Sequence, residues 1–321
     1  MLASRLIQPL PVPLAMALAV AWGVTYGALW PVVMGFSQAL TRPGYGSRAL
    51  ALTSLSAVPG MAFGLLVLGW VMGSNPALAW GLLLGFQSLA LLLALSIWGE
   101  QVPVEAVAPS NVVAAGASGH WTESWKPLWA QWNRVALLLP SALAQTMAPG
   151  LLVNFLHLLP ARLDLTLAGL VVPGLLALGA GGLTMWLAGR VADRRHALWA
   201  LLPGLGLLVA TYALATLPHL AERLWLLLPL LATGYAAFIS GWNGLVSHAL
   251  PGEHRVAAWG TVMMVEALGY AIGPVIGGIM WEQHGPVGLF AAAAFIFALT
   301  LGYYLYILLS GALRPAAGVP K

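Results

Sequence analysis

Residues 187–218 read LAGRVADRRHALWALLPGLGLLVATYALATLP. The second part of this stretch decides the fold. From Ala197 to Leu217 no side chain is charged. An apolar run of roughly 20 residues is the length that crosses a ~30 Å hydrocarbon core as a helix. Such runs recur along nearly all of the 321-residue chain. Only 7% of its residues are charged and 60% are hydrophobic, whereas a soluble domain is about a quarter charged. The chain therefore reads as an all-α polytopic membrane protein. Only helices and closed barrels satisfy the backbone inside a bilayer. Barrel strands would alternate apolar and polar residues over about 10 positions, and these runs do not. There is no cysteine, which excludes disulfides and thiolate chemistry. The net charge of +4 bears on membrane sidedness rather than on nucleic acid, because basic residues mark cytoplasmic loops. The first apolar run, after Pro13, is too long for the core of a cleavable signal peptide.

Working outward from that run, nine spans are expected, at about 14–38, 49–73, 77–98, 135–159, 165–188, 197–218, 224–250, 256–281 and 287–310. Turn chemistry or charge separates them, as in SNP at 74–76, PGEHR at 251–255 and EQHGP at 282–286. If the island around Asp193 is cytoplasmic, alternation puts ten Lys and Arg on its side and three on the other. That bias predicts a cytoplasmic C-terminus and an N-terminus outside. Residues 1–98 form a three-span part and 135–313 a six-span part, with a cytoplasmic tail at 314–321. Between the two parts, 99–134 is rich in Pro, Gly, Ser and Glu and reads as a cytoplasmic linker. Its Trp121, Trp125, Trp129 and Trp132 share roughly one helical face. They form either an interfacial segment or a loop with ordinary tryptophan anchors.

The first three spans echo the last three. Tyr26 matches Tyr235, Pro43 matches Pro251 and Arg48 matches Arg255. Gly60, Gly64 and Gly69 match Gly269, Gly273 and Gly278, at an offset that stays within 207–210. Parallel repeats of this kind build many transporters, with the substrate path between them. Spans 4–6 should then have partners too, so the repeat predicts three further N-terminal spans, and Met1 is expected to mark a truncated start.

The loop Gly189-x-x-x-Asp193-Arg194, the repeat, the central linker and the span count together resemble the major facilitator superfamily, from its fourth helix to its twelfth. The island departs from that family's loop motif at His196, where Gly is preferred, and at Ala197 and Leu198, where basic residues are. The Gly-Pro-rich helix of the family is echoed by Gly269, Gly273, Pro274, Gly277 and Gly278. The resemblance implies a helical bundle that carries a small solute by alternating access, in a prokaryotic plasma (inner) membrane. It also implies that spans 1, 4 and 7 line the cavity.

Read from the residues alone, Gly189 ends span 5, and Asp193 lies near the start of span 6, where a carboxylate favours the helix dipole. Asp193 is also placed to pair with an arginine across the cytoplasmic face, in one conformation and not another. The competing reading is a basic anchor with a helix cap. The glycines at 269, 273 and 277 let helices pack backbone to backbone, and Pro274 kinks its span; a hinge is the lesser reading.

Glu266 is the only carboxylate within a span. It must face a cavity, pair or be protonated, which makes it a candidate coupling group with protons as the coupling ion; the alternative is a neutral structural glutamate. Candidate lining residues are Tyr26 and Trp30 in span 1, Gln145 and Asn154 in span 4, and Tyr235 and Asn243 in span 7. Each has the competing role of an interhelical hydrogen bond. So little charge in the lining predicts a neutral or hydrophobic small-molecule substrate.

No enzyme is expected. Gly116-Ala117-Ser118-Gly119-His120 lies in the polar linker with no base and carboxylate arranged behind it. Glu253-His254 has no second histidine at metal-ligand spacing. No metal, cofactor or nucleic acid is expected. The rival function is a non-transporting membrane protein, either an assembly partner or an inactive remnant.

Overall fold

The computed structural model describes residues 33–34, 37, 41, 45, 47–50, 52–53, 71, 75–96, 136–153, 155, 158–159, 166–249 and 255–310. Of these, 92% are helical and none lies in a strand. The candidate residues Tyr26, Trp30 and Asn154, the tryptophan-rich segment and the C-terminal tail lie outside the described residues.

The chain divides into two units, residues 1–40 with 52–119 and residues 41–51 with 120–321. In the first unit α1 spans Pro76–Ser96. Asn75 starts it, its Oδ1 accepting the Leu78 N–H at 3.1 Å. Pro76 occupies the first helical position, where a missing N–H costs nothing. Leu84, Phe86, Leu89, Leu91, Leu92, Leu93 and Leu95 of α1 are all exposed. In the same unit Thr53 Oγ1 donates to Ser37 Oγ at 3.0 Å.

The second unit holds α2 (Leu139–Val153), α3 (Leu167–Arg194), α4 (Leu198–Ala215), α5 (Leu220–Ala249) and α6 (Arg255–Ser310). α2 lies along α6, α5 packs against both α3 and α4, and α4 also meets α6. α6 is two helices joined at Gly285, whose φ of 61° and ψ of −147° are non-helical. Only glycine holds that backbone conformation without strain. The break falls within EQHGP, where the sequence places a turn.

Four of these helices, α3, α4, α5 and α6, are long and apolar enough to cross a membrane. Their outward faces carry large apolar side chains, among them Leu175, Leu176, Leu183, Val275, Phe295 and Leu299. A soluble protein does not expose a surface of this kind, whereas hydrocarbon covers it at no cost. Inside, Phe238 of α5 meets Phe297 edge-on at 5.7 Å, and Phe297 stacks on Tyr212 of α4 at 5.8 Å. Glycine sets the α4–α5 distance. A Cβ on Gly241 would stand 2.7 Å from the Leu201 Cα, and one on Gly204 would stand 2.9 Å from the Gly234 carbonyl oxygen. Small residues take the place of the hydrophobic drive that lipid removes.

The structure differs from the sequence reading at the charged island. α3 does not end at Gly189 but runs on to Arg194, with the Arg195 N–H bonded to the Val191 carbonyl at 2.9 Å. Asp193 therefore sits in the last turn of α3 rather than near the start of α4. α4 starts at Leu198 with Ala197 as its N-cap, and the His196 Nδ1, just outside the helix, accepts the Leu198 N–H at 3.2 Å. With a side-chain acceptor already at 196, α4 does not need Asp193 as its cap.

Candidate functional site

Two polar clusters stand out in the apolar second unit. The first is built on Asp193. At the end of α3 a carboxylate faces the negative pole of its own helix dipole, which disfavours it by a few tenths of a kcal/mol to about 1. Two donors from residues 41–51 offset this. Arg48 Nε donates to Oδ2 at 2.7 Å and the Ser47 backbone N–H donates to Oδ1 at 3.0 Å. Residues 47–50 are helical, so Asp193 occupies the N-terminal end of a helical turn, where a carboxylate is favoured, though not in the helix that carries it. Its side chain is 3% exposed and that of Arg48 is 21%. Arg48 is held from its other side by the Tyr45 ring, 4.3 Å from its guanidinium carbon.

Glycines let these pieces meet. A Cβ on Gly189 would stand 2.9 Å from the Arg48 Cγ, and one on Gly244 of α5 would stand 2.9 Å from the Ser47 Oγ. Gly189 and Asp193, four residues apart on α3, thus receive the same arginine. Arg194 is exposed, and Arg190 lies over the Trp186 ring at 4.5 Å. The cation on Asp193 comes from a segment 145 residues away, not from the island. No local pattern marks Arg48 for this; the repeat only singles it out as the match of Arg255.

The second cluster joins α2, α5 and α6. Gln145 Nε2 donates to Glu266 Oε1, and Tyr235 Oη donates to the Gln145 backbone carbonyl at 3.2 Å. The tyrosine contact has a local cause. The carbonyl of Gln145 should bond the N–H four residues on, and that residue is Pro149, which has none. Inside hydrocarbon a freed carbonyl must find another donor, and Tyr235 supplies it from α5.

Glu266 shares one stripe of α6 with Gly269, Gly273 and Gly277, which α2 contacts directly. A Cβ on Gly269 would run into the Thr146 hydroxyl and stand 2.8 Å from the Leu143 carbonyl. One on Gly273 would stand 2.6 Å from the Met147 carbonyl, and one on Gly277 2.6 Å from that of Leu151. A Cβ on Gly150 would stand 3.4 Å from the Pro274 Cδ across the same seam, while Gly278 has open space where a side chain would go. Asn243 is buried in α5, and its Nδ2 meets no acceptor among the described residues.

Among the described residues no group of three His, Cys, Asp or Glu is placed to hold a metal ion. No known protein family, characterised protein or solved structure matches the chain.

Proposed function

We propose that the chain is a secondary active transporter of the major facilitator type, a nine-span bundle that moves a small neutral or hydrophobic solute by alternating access. In this reading the membrane is a prokaryotic inner membrane with the C-terminus in the cytoplasm. The observation that carries the proposal is the Arg48–Asp193 pair. It is an ion pair with a buried carboxylate and a partly exposed guanidinium at the end of a membrane-length helix, made to a segment of the chain far away in sequence. A permanent anchor needs no such pair, because exposed arginines hold a helix end at the interface without one. A carrier that rocks between two arrangements does need a contact that one arrangement has and the other lacks. The interior polar groups Gln145, Tyr235, Ser240 and Asn243 carry no formal charge, with Glu266 the ionisable group beside them, a lining poor in charge that supports a neutral or hydrophobic solute.

The test uses the absence of native cysteine. Ser47 is fully buried against Asp193 and Gly244. In a Ser47→Cys protein reconstituted in liposomes, a membrane-impermeant maleimide should react slowly. Adding Asp193→Asn should raise the rate at least about tenfold, the equivalent of about 1.4 kcal/mol, and should alter uptake of neutral solutes by the same liposomes. Unchanged labelling and unchanged uptake would reduce the pair to an anchor. Saturable transport of a multiply charged anion would overturn the substrate class.

A further inference from the structure

We propose that the end of α3 is a binding surface for an anionic phospholipid, with Arg190 and Arg194 on its phosphate and the leucines of the same helix face along an acyl chain. The proposal needs only that α3 crosses a bilayer, and it is independent of the carrier reading.

The charge count at the island carries it. Asp193 is the only carboxylate among residues 187–200. Arg48 and the Ser47 N–H occupy its two oxygens, and both come from outside the island. The island therefore does not neutralise itself. Arg190, Arg194 and Arg195 meet no carboxylate among the described residues, and Arg194 and Arg195 are exposed. Arginines at a bilayer surface attract anionic lipid, each by about fivefold in affinity. The negative pole at the end of α3 opposes an anion by no more than one arginine attracts it.

Position selects a lipid over a soluble anion. Leu176, Leu183, Leu187, Arg190 and Arg194 recur at one- and two-turn spacings, so they share one face of α3. The three leucines are exposed, and α3 is the least buried of the membrane-length helices. Leu183 lies about 16 Å along the axis from Arg194, close to the hydrocarbon depth of one leaflet. An acyl chain beside this stripe ends where the arginines begin. Trp186, itself half exposed, holds Arg190, its ring centre 4.5 Å from the guanidinium carbon. The ring covers only one side of the guanidinium. No N–H of Arg190 meets an acceptor among the described residues, so its donors remain for a phosphodiester. A choline headgroup brings its own cation and cancels most of that attraction, whereas a headgroup of net negative charge keeps it.

Native mass spectrometry of the full chain tests this, using neutral-detergent micelles that contain equimolar phosphatidylglycerol and phosphatidylcholine. Phosphatidylglycerol should bind at least about tenfold better. Arg190→Gln and Arg194→Gln should each lower that ratio about fivefold. Trp186→Leu, which keeps the apolar surface but not the ring, should lower it about twofold to fivefold. Arg194→Lys, which keeps the charge, should retain most of the ratio. Arg223→Gln, at the start of α5 and the other end of the bundle, should leave it unchanged. Equal binding of the two lipids would overturn the proposal. So would a loss from Arg223→Gln as large as that from Arg190→Gln, which would indicate attraction to overall charge rather than to this surface. Displacement of phosphatidylglycerol by millimolar inorganic phosphate would also overturn it, by assigning the arginines to a soluble anion. The measurement involves no transport and neither Arg48 nor Asp193, so this proposal and the carrier reading fail separately.

Discussion

Asp193 and Gln145 each solve a problem set by their own helix with a group from another. Asp193 ends α3, at the pole that repels it, and Arg48 and the Ser47 N–H make the position tenable. Removing only the cation leaves an enclosed charge, which is worse than removing both partners. Arg48→Met should therefore lower stability in detergent by about 3 kcal/mol. The double variant with Asp193→Asn should recover much of that loss, as read from unfolding midpoints in a double-mutant cycle. The Gln145 carbonyl lacks its helical partner because of Pro149, and Tyr235 replaces it. Tyr235→Phe should cost about 1 kcal/mol, and adding Pro149→Ala, which restores the N–H, should cancel most of that penalty.

At the scale of elements, the contacts are set by what glycine leaves out. α2 and α6 meet along Gly269, Gly273 and Gly277, where the nearest atoms are backbone and cannot swing aside. Gly273→Val should force the helices apart at a cost of about 3 kcal/mol, visible as a lower thermal midpoint. Gly278→Val, with open space at its position, should change little. Gly285 is a conformational case, since nothing crowds it and its φ is 61°. Gly285→Ala should cost about 1–3 kcal/mol through backbone strain alone. Such glycine stripes are visible in sequence because the spacing of a packing face is regular. Their partner helix is not visible, because a backbone surface leaves no residue signature on the other strand of the seam.

The whole molecule is defined by its solvent. Outward leucines, valines and phenylalanines on α3 and α6 fit a hydrocarbon surround. Arginine at Leu183 or Leu299 should reduce membrane insertion by about 3 kcal/mol if the position lies near the bilayer centre, and alkaline extraction of membranes would measure it. The excess of Lys and Arg on one side of the expected spans predicts that a reporter fused after Lys321 is active in the cytoplasm. Activity of a periplasm-dependent reporter there would reverse the orientation.

Sequence alone determined the helical class and the break in EQHGP, because each follows from the composition or spacing of neighbouring residues. It placed the α3–α4 boundary too early. The helix-terminating weight assigned to Gly189 proved to belong to a close approach by Arg48, and a glycine looks the same in sequence for either use. What tertiary structure decided was pairing. Arg48 with Asp193 and Gln145 with Glu266 lie 145 and 121 residues apart. In a chain this apolar, many polar residues could answer any one charge. Only the packing of the helices chooses among them, because a partner in hydrocarbon must be within hydrogen-bond reach to count at all.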